Sequence, residues 1–166
     1  MTREEALNFL KIHQPMPDDR HLDKNLIDQY DEARKCFLYA PAVECIPLFL
    51  NSFGIGNGLG VYQLIDDVLK KYNRDEVVPH LRTSLNSKHE GVRYWSAQIA
   101  SNFPSAELIK PLKNLLRDNN RDIRYATITA LEQIGGDIVK DFLETHLIAE
   151  SDEEIKELVK DVLQEL

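Results

Sequence analysis

One helical pattern of apolar residues occurs four times in this chain at a spacing of 31 residues, or 32 at the last step. Apolar side chains at offsets 0, 3, 4, 7, 8 and 11 lie on one face of an α-helix. The pattern begins at Val61 and recurs from Val92, Ile123 and Ile155. One amphipathic helix is commonplace, but recurrence in phase is typical of stacked structural repeats.

A second helix repeats at the same spacing. Val78, Leu81 and Leu85 are followed 31 residues later by Ile109, Leu112 and Leu116. Each repeat is therefore expected to be a helix, a turn and a second helix. We predict an all-α, right-handed α-solenoid of about nine or ten helices in a single domain. Residues 1–41 would form N-terminal capping helices, and four repeats would follow at 42–73, 74–104, 105–135 and 136–166.

The segment "GIGNGLG", residues 54–60, has the glycine content of a phosphate-binding loop. It lacks the Lys of a Walker loop and the spacing of a dinucleotide-binding loop, and a helical pattern precedes it. It aligns instead with the turns at 85–91 and 116–122. We therefore predict an exposed turn between two helices, with no bound phosphate.

Two segments carry a family resemblance: "HEGVRYWSAQIASNFPSAELIKPLKNLL" and "NRDIRYATITALEQIGGDIVKDFL". In each, Val-Arg or Ile-Arg opens the second helix, small residues follow, and Gly or Pro ends it. This resembles HEAT-like repeats, in the short form also seen in phycobilisome lyases. The resemblance covers roughly residues 42–166, although the last repeat has Ile155-Lys156 in place of Ile-Arg. It implies a solenoid, a fold that serves many functions.

Charge is unevenly distributed along the chain. The net charge is −8, and residues 137–166 alone carry 10 Asp/Glu against 3 Lys/Arg. This acidity makes nucleic acid an unlikely partner and favours a protein partner, one of basic character. No apolar run is long enough for a membrane span, and the N-terminal residues do not resemble a signal peptide. We therefore expect a cytoplasmic protein.

Residues that support catalysis or metal binding are sparse. Only one His-Glu dipeptide occurs, His89-Glu90, whereas HEAT-type metal hydroxylases carry several. Cys36 and Cys45 fit reduced, packed thiols better than a disulfide. The adjacent acids Asp66 and Asp67 point about 100° apart on a helix, which suits a solvated face better than an acid–base pair. We predict no enzymatic activity, no cofactor and no metal.

The most informative residues lie away from the apolar face of the repeated helix. Solenoids commonly bind partners along a concave surface formed by these second helices, and Tyr and Arg are enriched in interfaces. This gives a predicted partner-binding set: Tyr94, Tyr125, Arg93, Arg124, Gln63 and Ile128. Two alternatives stay open at this point. The arginines also fit structural salt bridges, and Tyr94, Tyr125 and Ile128 also fit packing between repeats.

The predicted function is protein binding without catalysis, through the concave face. Size, acidity and repeat type also resemble the small HEAT-repeat proteins that bacteria encode as immunity partners of toxins. One alternative is an enzyme of HEAT-like build, either a bilin lyase or a hydroxylase. Another is a DNA-lesion-binding protein, which the net charge of +3 over residues 79–136 favours.

Overall fold

A computed structural model, which describes all 166 residues, shows ten α-helices and no β-strand. This confirms the predicted all-α class and the predicted number of helices. Short 3₁₀ turns lie at Asp19–His21, Gly58–Gly60, Tyr62–Leu64 and Ala106–Leu108. The α-helices are α1 Arg3–Ile12, α2 Lys24–Tyr39, α3 Cys45–Leu50, α4 Ile65–Leu69, α5 Arg74–Ser84, α6 Glu90–Ala100, α7 Ile109–Leu115, α8 Arg121–Ile134, α9 Asp137–Ala149 and α10 Glu153–Glu165.

The chain forms two compact units, an N-terminal unit of Met1–Trp95 and a C-terminal unit of Ser96–Leu166. In the N-terminal unit, α1 packs on α2 and α3, α2 packs on α4, and α3 packs on α5. In the C-terminal unit, α8 lies against α7, α9 and α10. The predicted segments 74–104, 105–135 and 136–166 each contain two of the helices.

Helix ends follow the chemistry of capping. Thr2 and Glu5 form a capping box at the start of α1, in which each side chain accepts a backbone N–H. The cap of α10 is Asp152, whose carboxylate accepts from the N–H groups of Glu154 and Ile155. The Gly135-Gly136 pair separates α8 from α9, with both residues at positive φ.

The apolar pattern identifies most of the core in the later repeats, although its last position, Leu166, is 37% exposed. Five residues predicted to be buried are all at most 3% exposed: Val92, Ile99, Ile123, Leu131 and Val162. Thr127 occupies an apolar position of the pattern in α8 and is also fully buried. Its hydroxyl donates to the carbonyl oxygen of Ile123 at 2.7 Å, which removes most of the cost of burying it.

The pattern is wrong at the first repeat. Leu64, at an apolar position of the pattern, is 36% exposed, and Tyr62, which lies outside the pattern, is fully buried. The cause is a 3₁₀ turn at Tyr62–Leu64 in front of α4. A 3₁₀ turn advances about 120° per residue instead of about 100°, so it rotates this segment relative to the α-helical register. The glycine segment therefore leads into a turn of 3₁₀-helix, not directly into an α-helix.

Residues 1–41 contain α1 and α2, as the prediction of N-terminal helices requires. Arg34 interrupts the apolar pattern of α2, yet it is buried, and its Nε donates to Asp31 at 2.6 Å. Both cysteines are free thiols; Cys45 is buried, whereas Cys36 is only half-buried. Burial raises the pKa of the Cys45 thiol to about 11, which makes it a poor nucleophile.

Candidate functional site

The glycine segment 54–60 does hold an anion, but the anion belongs to the chain. The Asp19 carboxylate accepts hydrogen bonds from the backbone N–H groups of Asn57 at 2.8 Å and Gly58 at 3.0 Å. Gly56 and Gly58 adopt φ of 114° and 58°, a region that side chains disfavour. The segment lies between α3 and α4, as predicted for an inter-helix turn. Two of the N–H groups available for a phosphate are therefore already engaged.

The same segment is packed tightly against the start of α6. Trp95 donates its indole N–H to the carbonyl oxygen of Gly56 at 3.0 Å, and its ring stacks on Phe53. A Cβ atom at Gly91 would lie only 2.0 Å from the carbonyl oxygen of Gly54. These contacts fix the loop in place. Its glycines serve close packing in the N-terminal unit, which explains their density without a ligand.

Three predicted contact residues lie in the N-terminal unit. Tyr94 is half-exposed and packs edge-on against Trp95, with ring centroids 5.3 Å apart. Gln63 is exposed in the 3₁₀ turn before α4. The Arg93 guanidinium donates to the carbonyl oxygens of Ser87 and Lys88, both at 3.1 Å. The geometry of Arg93 therefore serves to fix the turn before α6.

The C-terminal unit contains the other three, and one prediction among them is wrong. Tyr125 is 46% exposed on α8, but Ile128 is fully buried and presents no surface to a partner. Because α8 is bordered by α7, α9 and α10, contacts on three sides bury a wider arc than the apolar pattern predicts. Ala97, which shares the offset of Ile128 in α6, is also fully buried.

Arg124 lies at the centre of a charge cluster in the C-terminal unit. Its Nε and Nη2 donate to the two carboxylate oxygens of Glu150 at 2.8 and 3.1 Å. Its Nη1 donates to the carbonyl oxygen of Asp118 at 3.0 Å. The Glu150 side chain is only 3% exposed. This is the structural salt bridge that the sequence analysis kept as the alternative for the arginines.

The environment of Glu150 stabilises its charged form. Burial raises the pKa of this carboxyl, but hydrogen bonds from Arg124 and from the backbone N–H groups of Ser151 and Asp152 outweigh that effect and lower it to about 2. His146 Nε2 lies 3.1 Å from Glu150 Oε2, yet it is not aligned for a hydrogen bond and remains a buried nitrogen without a partner. Burial lowers the pKa of His146, although the Glu150 charge opposes the shift. The imidazole is therefore neutral at pH 7.

A groove of about 600 Å³ opens above this cluster, within the ~300–1,000 Å³ typical of ligand-sized clefts. Two cations of α7 and the turn after it, Lys113 and Arg117, lie along one wall. The Lys113 ammonium lies 3.8 Å from the centre of the Phe142 ring, a cation–π contact. The remaining lining residues come from α8, from α9 and from the turns before α8 and α10: Leu116, Asp118, Asn119, Arg124, Asp141, Phe142, Thr145, His146, Ala149, Glu150 and Ser151.

The model of the HEAT-repeat family matches residues 78–164, more than half of the chain. The chain belongs to the HEAT-repeat family. HEAT repeats are helix pairs that stack into α-solenoids, the fold class predicted from the period of 31 residues. No curated protein shows a significant match to the chain. No helix has the combination of length and apolar character that crossing a membrane requires.

The repeats also explain why Arg93 and Arg124 make equivalent contacts. Arg93 and Arg124 occupy the same position in consecutive HEAT repeats, and each donates Nη1 to two carbonyl oxygens of the turn before its own helix. Sequence reasoning located both residues but missed Glu150 and His146. Glu150 lies in the acidic run "AESDEE", which reads as solvated surface, and only the fold brings it to Arg124, 26 residues away. No group of three or more His, Cys, Asp or Glu is arranged to hold a metal ion.

Proposed function

We propose that this HEAT-repeat protein is a non-catalytic protein-binding module whose partner contacts centre on Tyr94 and Tyr125. The observation that carries the proposal is the position of Tyr125. It exposes 46% of its surface from α8, a helix packed on three sides. An exposed aromatic side chain on a well-packed helix offers contact area at low entropic cost, as interface anchors do.

The surroundings of each tyrosine support this role. Arg121 lies one helical turn before Tyr125 and is held by Asp152 and Glu154 of the C-terminal unit, with about half of its side chain exposed. A guanidinium fixed in this way keeps donors available for an acid on a partner. Tyr94 rests edge-on against Trp95, which itself stacks on Phe53 and is hydrogen bonded to Gly56.

The proposal has a finer form, in which the tyrosines belong to the concave face of the repeats. The partner is then a basic protein in the cytoplasm, and the chain acts as an immunity protein that neutralises a toxin. The acidic C-terminal segment supports this finer form of the proposal. Glu153 and Glu157 on α10 are 77% and 65% exposed, so a partner meets their charge at a distance.

Site-specific photo-crosslinking tests the proposal. A benzophenone amino acid replaces Tyr94 or Tyr125, and Tyr39, which is 81% exposed on α2, is the matched control. We expect crosslinks to one protein from positions 94 and 125 and none from position 39. The crosslinked protein is then purified and its affinity is measured for the Tyr→Ala variants. We expect about 1–3 kcal/mol of weakening for Y94A and Y125A and no change for Y39A.

Two outcomes would contradict the proposal. In the first, Y94A and Y125A bind the purified partner as well as the unmodified protein does. In the second, both variants lose their helical circular dichroism, which would make the tyrosines packing residues. A turnover of substrate that survives both substitutions would favour an enzyme instead.

A further inference from the structure

The glycine segment contains the one Asn-Gly pair of the chain, Asn57-Gly58. An asparagine followed by glycine is prone to spontaneous deamidation, because glycine has no side chain to hinder attack by its backbone nitrogen on the preceding side-chain amide. Asn57 is exposed to solvent, so water and hydroxide reach it. A reactive pair therefore lies in the loop on which α6 packs.

The reaction at such a pair consumes only water. The Gly58 nitrogen loses its proton and bonds to the side-chain carbon Cγ of Asn57, and the amide nitrogen leaves as ammonia, which closes a succinimide ring. Water then opens the ring at one of its two carbonyl carbons. One opening leaves aspartate at position 57, and the other leaves isoaspartate, in which the main chain runs through the side-chain carbons. Both products carry one new carboxylate.

The folded loop opposes the first step of this reaction. Ring closure requires the Gly58 nitrogen to approach Cγ of Asn57, but the ψ of 6° at Asn57 eclipses that nitrogen with the backbone nitrogen of Asn57 instead. The N–H group of Gly58, which must lose its proton, donates to the Asp19 carboxylate at 3.0 Å. The N–H group of Asn57 donates to the second oxygen of the same carboxylate at 2.8 Å. Asp19 therefore holds both amides in an unreactive arrangement.

We propose that Asn57 is a deamidation site that Asp19 protects, and that modification takes place only when the glycine segment opens. Local openings of this kind require less free energy than global unfolding does. A carboxylate formed at position 57 adds a negative charge close to Asp19, and the repulsion between like charges disfavours closure of the segment. Deamidation thus converts a transient opening into a lasting one.

A lasting opening would reach α6 through Trp95. The indole N–H of Trp95 donates to the carbonyl oxygen of Gly56, next to the reactive residue, and its ring stacks on Phe53. Modification at position 57 should therefore loosen the packing between the glycine segment and α6. The inference does not depend on the proposed binding function.

Ageing of the purified full chain tests the site. The protein is incubated at mildly alkaline pH, and deamidation is followed at each asparagine by peptide mapping with mass spectrometry. Isoaspartate methyltransferase labelling identifies the isoaspartate product. The chain unfolded in urea gives the unprotected rate. We expect Asn57 to react faster in urea than any other asparagine, and at least about tenfold more slowly in the folded protein.

Removal of Asp19 supplies the decisive comparison. D19A should speed deamidation of Asn57 in the folded protein by about tenfold or more, because two hydrogen bonds to a charged acceptor no longer hold the segment closed. D28A removes an exposed acid of α2 that pairs with Lys24, and it should leave the rate within about twofold. Asn51 and Asn86, each followed by serine, report global unfolding in the same samples and should keep their rates.

The consequence for α6 has its own readout. N57D reproduces the aspartate product, whereas N57Q keeps a neutral amide whose longer side chain closes the ring poorly. Trp95 is the single tryptophan of the chain, so its indole N–H gives one unambiguous NMR signal. Hydrogen exchange at this group should be several-fold faster in N57D than in the unmodified protein, and unchanged in N57Q.

Four results would overturn the proposal. Deamidation of Asn57 as fast in the folded protein as in urea would show that the fold gives no protection. Equal rates in D19A and D28A would mean that Asp19 is not the protecting group. Faster reaction at Asn51 and Asn86 as well as Asn57 in D19A would assign the effect to global unfolding. Unchanged indole exchange in N57D would remove the proposed effect on α6. The tyrosine crosslinks would be unaffected in each case.

Discussion

At the scale of single residues, the best-defined interaction is the buried ion pair of Arg124 and Glu150. Both carboxylate oxygens of Glu150 accept from Arg124, and two backbone N–H groups complete its coordination. A buried pair contributes little net stability by itself, but removing one partner leaves the other charge uncompensated. Such a pair therefore fixes geometry more than it adds stability.

Replacing Glu150 by Gln should be costly. E150Q leaves the buried Arg124 guanidinium without a counter-charge, and we expect the free energy of unfolding to fall by about 2–4 kcal/mol. E153Q is the control, since Glu153 is exposed and its pair with Lys156 should contribute less than about 1 kcal/mol. Urea denaturation followed by circular dichroism measures both. Equal stability of E150Q and the unmodified protein would mean that Arg124 is solvated well enough without Glu150.

The same cluster predicts how stability depends on pH. The pKa of His146 lies below the ordinary value of 6.5, and that of Glu150 falls from the ordinary 4.5 to about 2. Both groups bind protons less readily in the folded protein, so the unfolded state takes up more protons as pH falls. Stability should therefore decline below about pH 6.5, and again between about pH 4.5 and 2.

Substitution separates the two steps. H146L removes the first titration, so its free energy of unfolding should change less between pH 7 and pH 5 than that of the unmodified protein. E150Q should flatten the second step while leaving the first in place. Denaturant titrations at closely spaced pH values give both curves. A first step that persists in H146L would assign it to another histidine.

At the scale of elements, the sequence is informative where helices are long and regular. Recurrence of the apolar pattern predicted α6, α8 and α10 together with most of their core residues, because a helix packed along one face repeats every 3.6 residues. It failed where geometry departs from this period. The 3₁₀ turn at Tyr62–Leu64 rotated the first repeat, and contacts on three sides of α8 buried Ile128.

Contacts between distant segments could not be deduced from periodicity. Asp19 reaches the glycine segment across 38 residues, and Glu150 reaches Arg124 across 26. The density of glycines at residues 54–60 is evident from the sequence. Their function as a packing surface for α6 could not be predicted from the sequence, since it depends on the approach of Gly91 to Gly54. Tyr94 and Tyr125 were predicted as contact residues from their equivalent positions in the repeated helix. The groove, in contrast, is formed by α7 and α9 together.

Packing of α6 on the glycine segment can be tested at one position. Gly91 lies inside α6, where replacing glycine by alanine normally stabilises a helix by about 0.5–1 kcal/mol. Here the added Cβ meets the backbone oxygen of Gly54, so G91A should instead destabilise the protein by about 2 kcal/mol or more. N114A, at an exposed position of α7, should change stability by less than about 0.7 kcal/mol. A stabilised G91A protein would show that the loop yields easily and is not fixed by its neighbours.

At the scale of the whole molecule, charge separates two kinds of recognition. The net charge of −8 is concentrated in residues 137–166, which carry 10 Asp/Glu against 3 Lys/Arg. Exposed charges act mainly on association rates, since they are solvated both before and after encounter. Aromatic side chains act on dissociation, because their burial is completed only in the complex. The two contributions can therefore be separated kinetically.

The acidic α10 should accelerate association with a basic partner without holding it. For the protein captured at Tyr94 and Tyr125, E153Q/E157Q should lower the association rate constant several-fold at low salt, and the effect should disappear near 0.5 M salt. D28N/E32Q removes two exposed acids from α2 and is the control for net charge alone. Surface plasmon resonance over a range of salt concentrations gives both rate constants. A change confined to dissociation would place Glu153 and Glu157 in direct contact with the partner. Faster association after the substitution would mean that the partner is acidic.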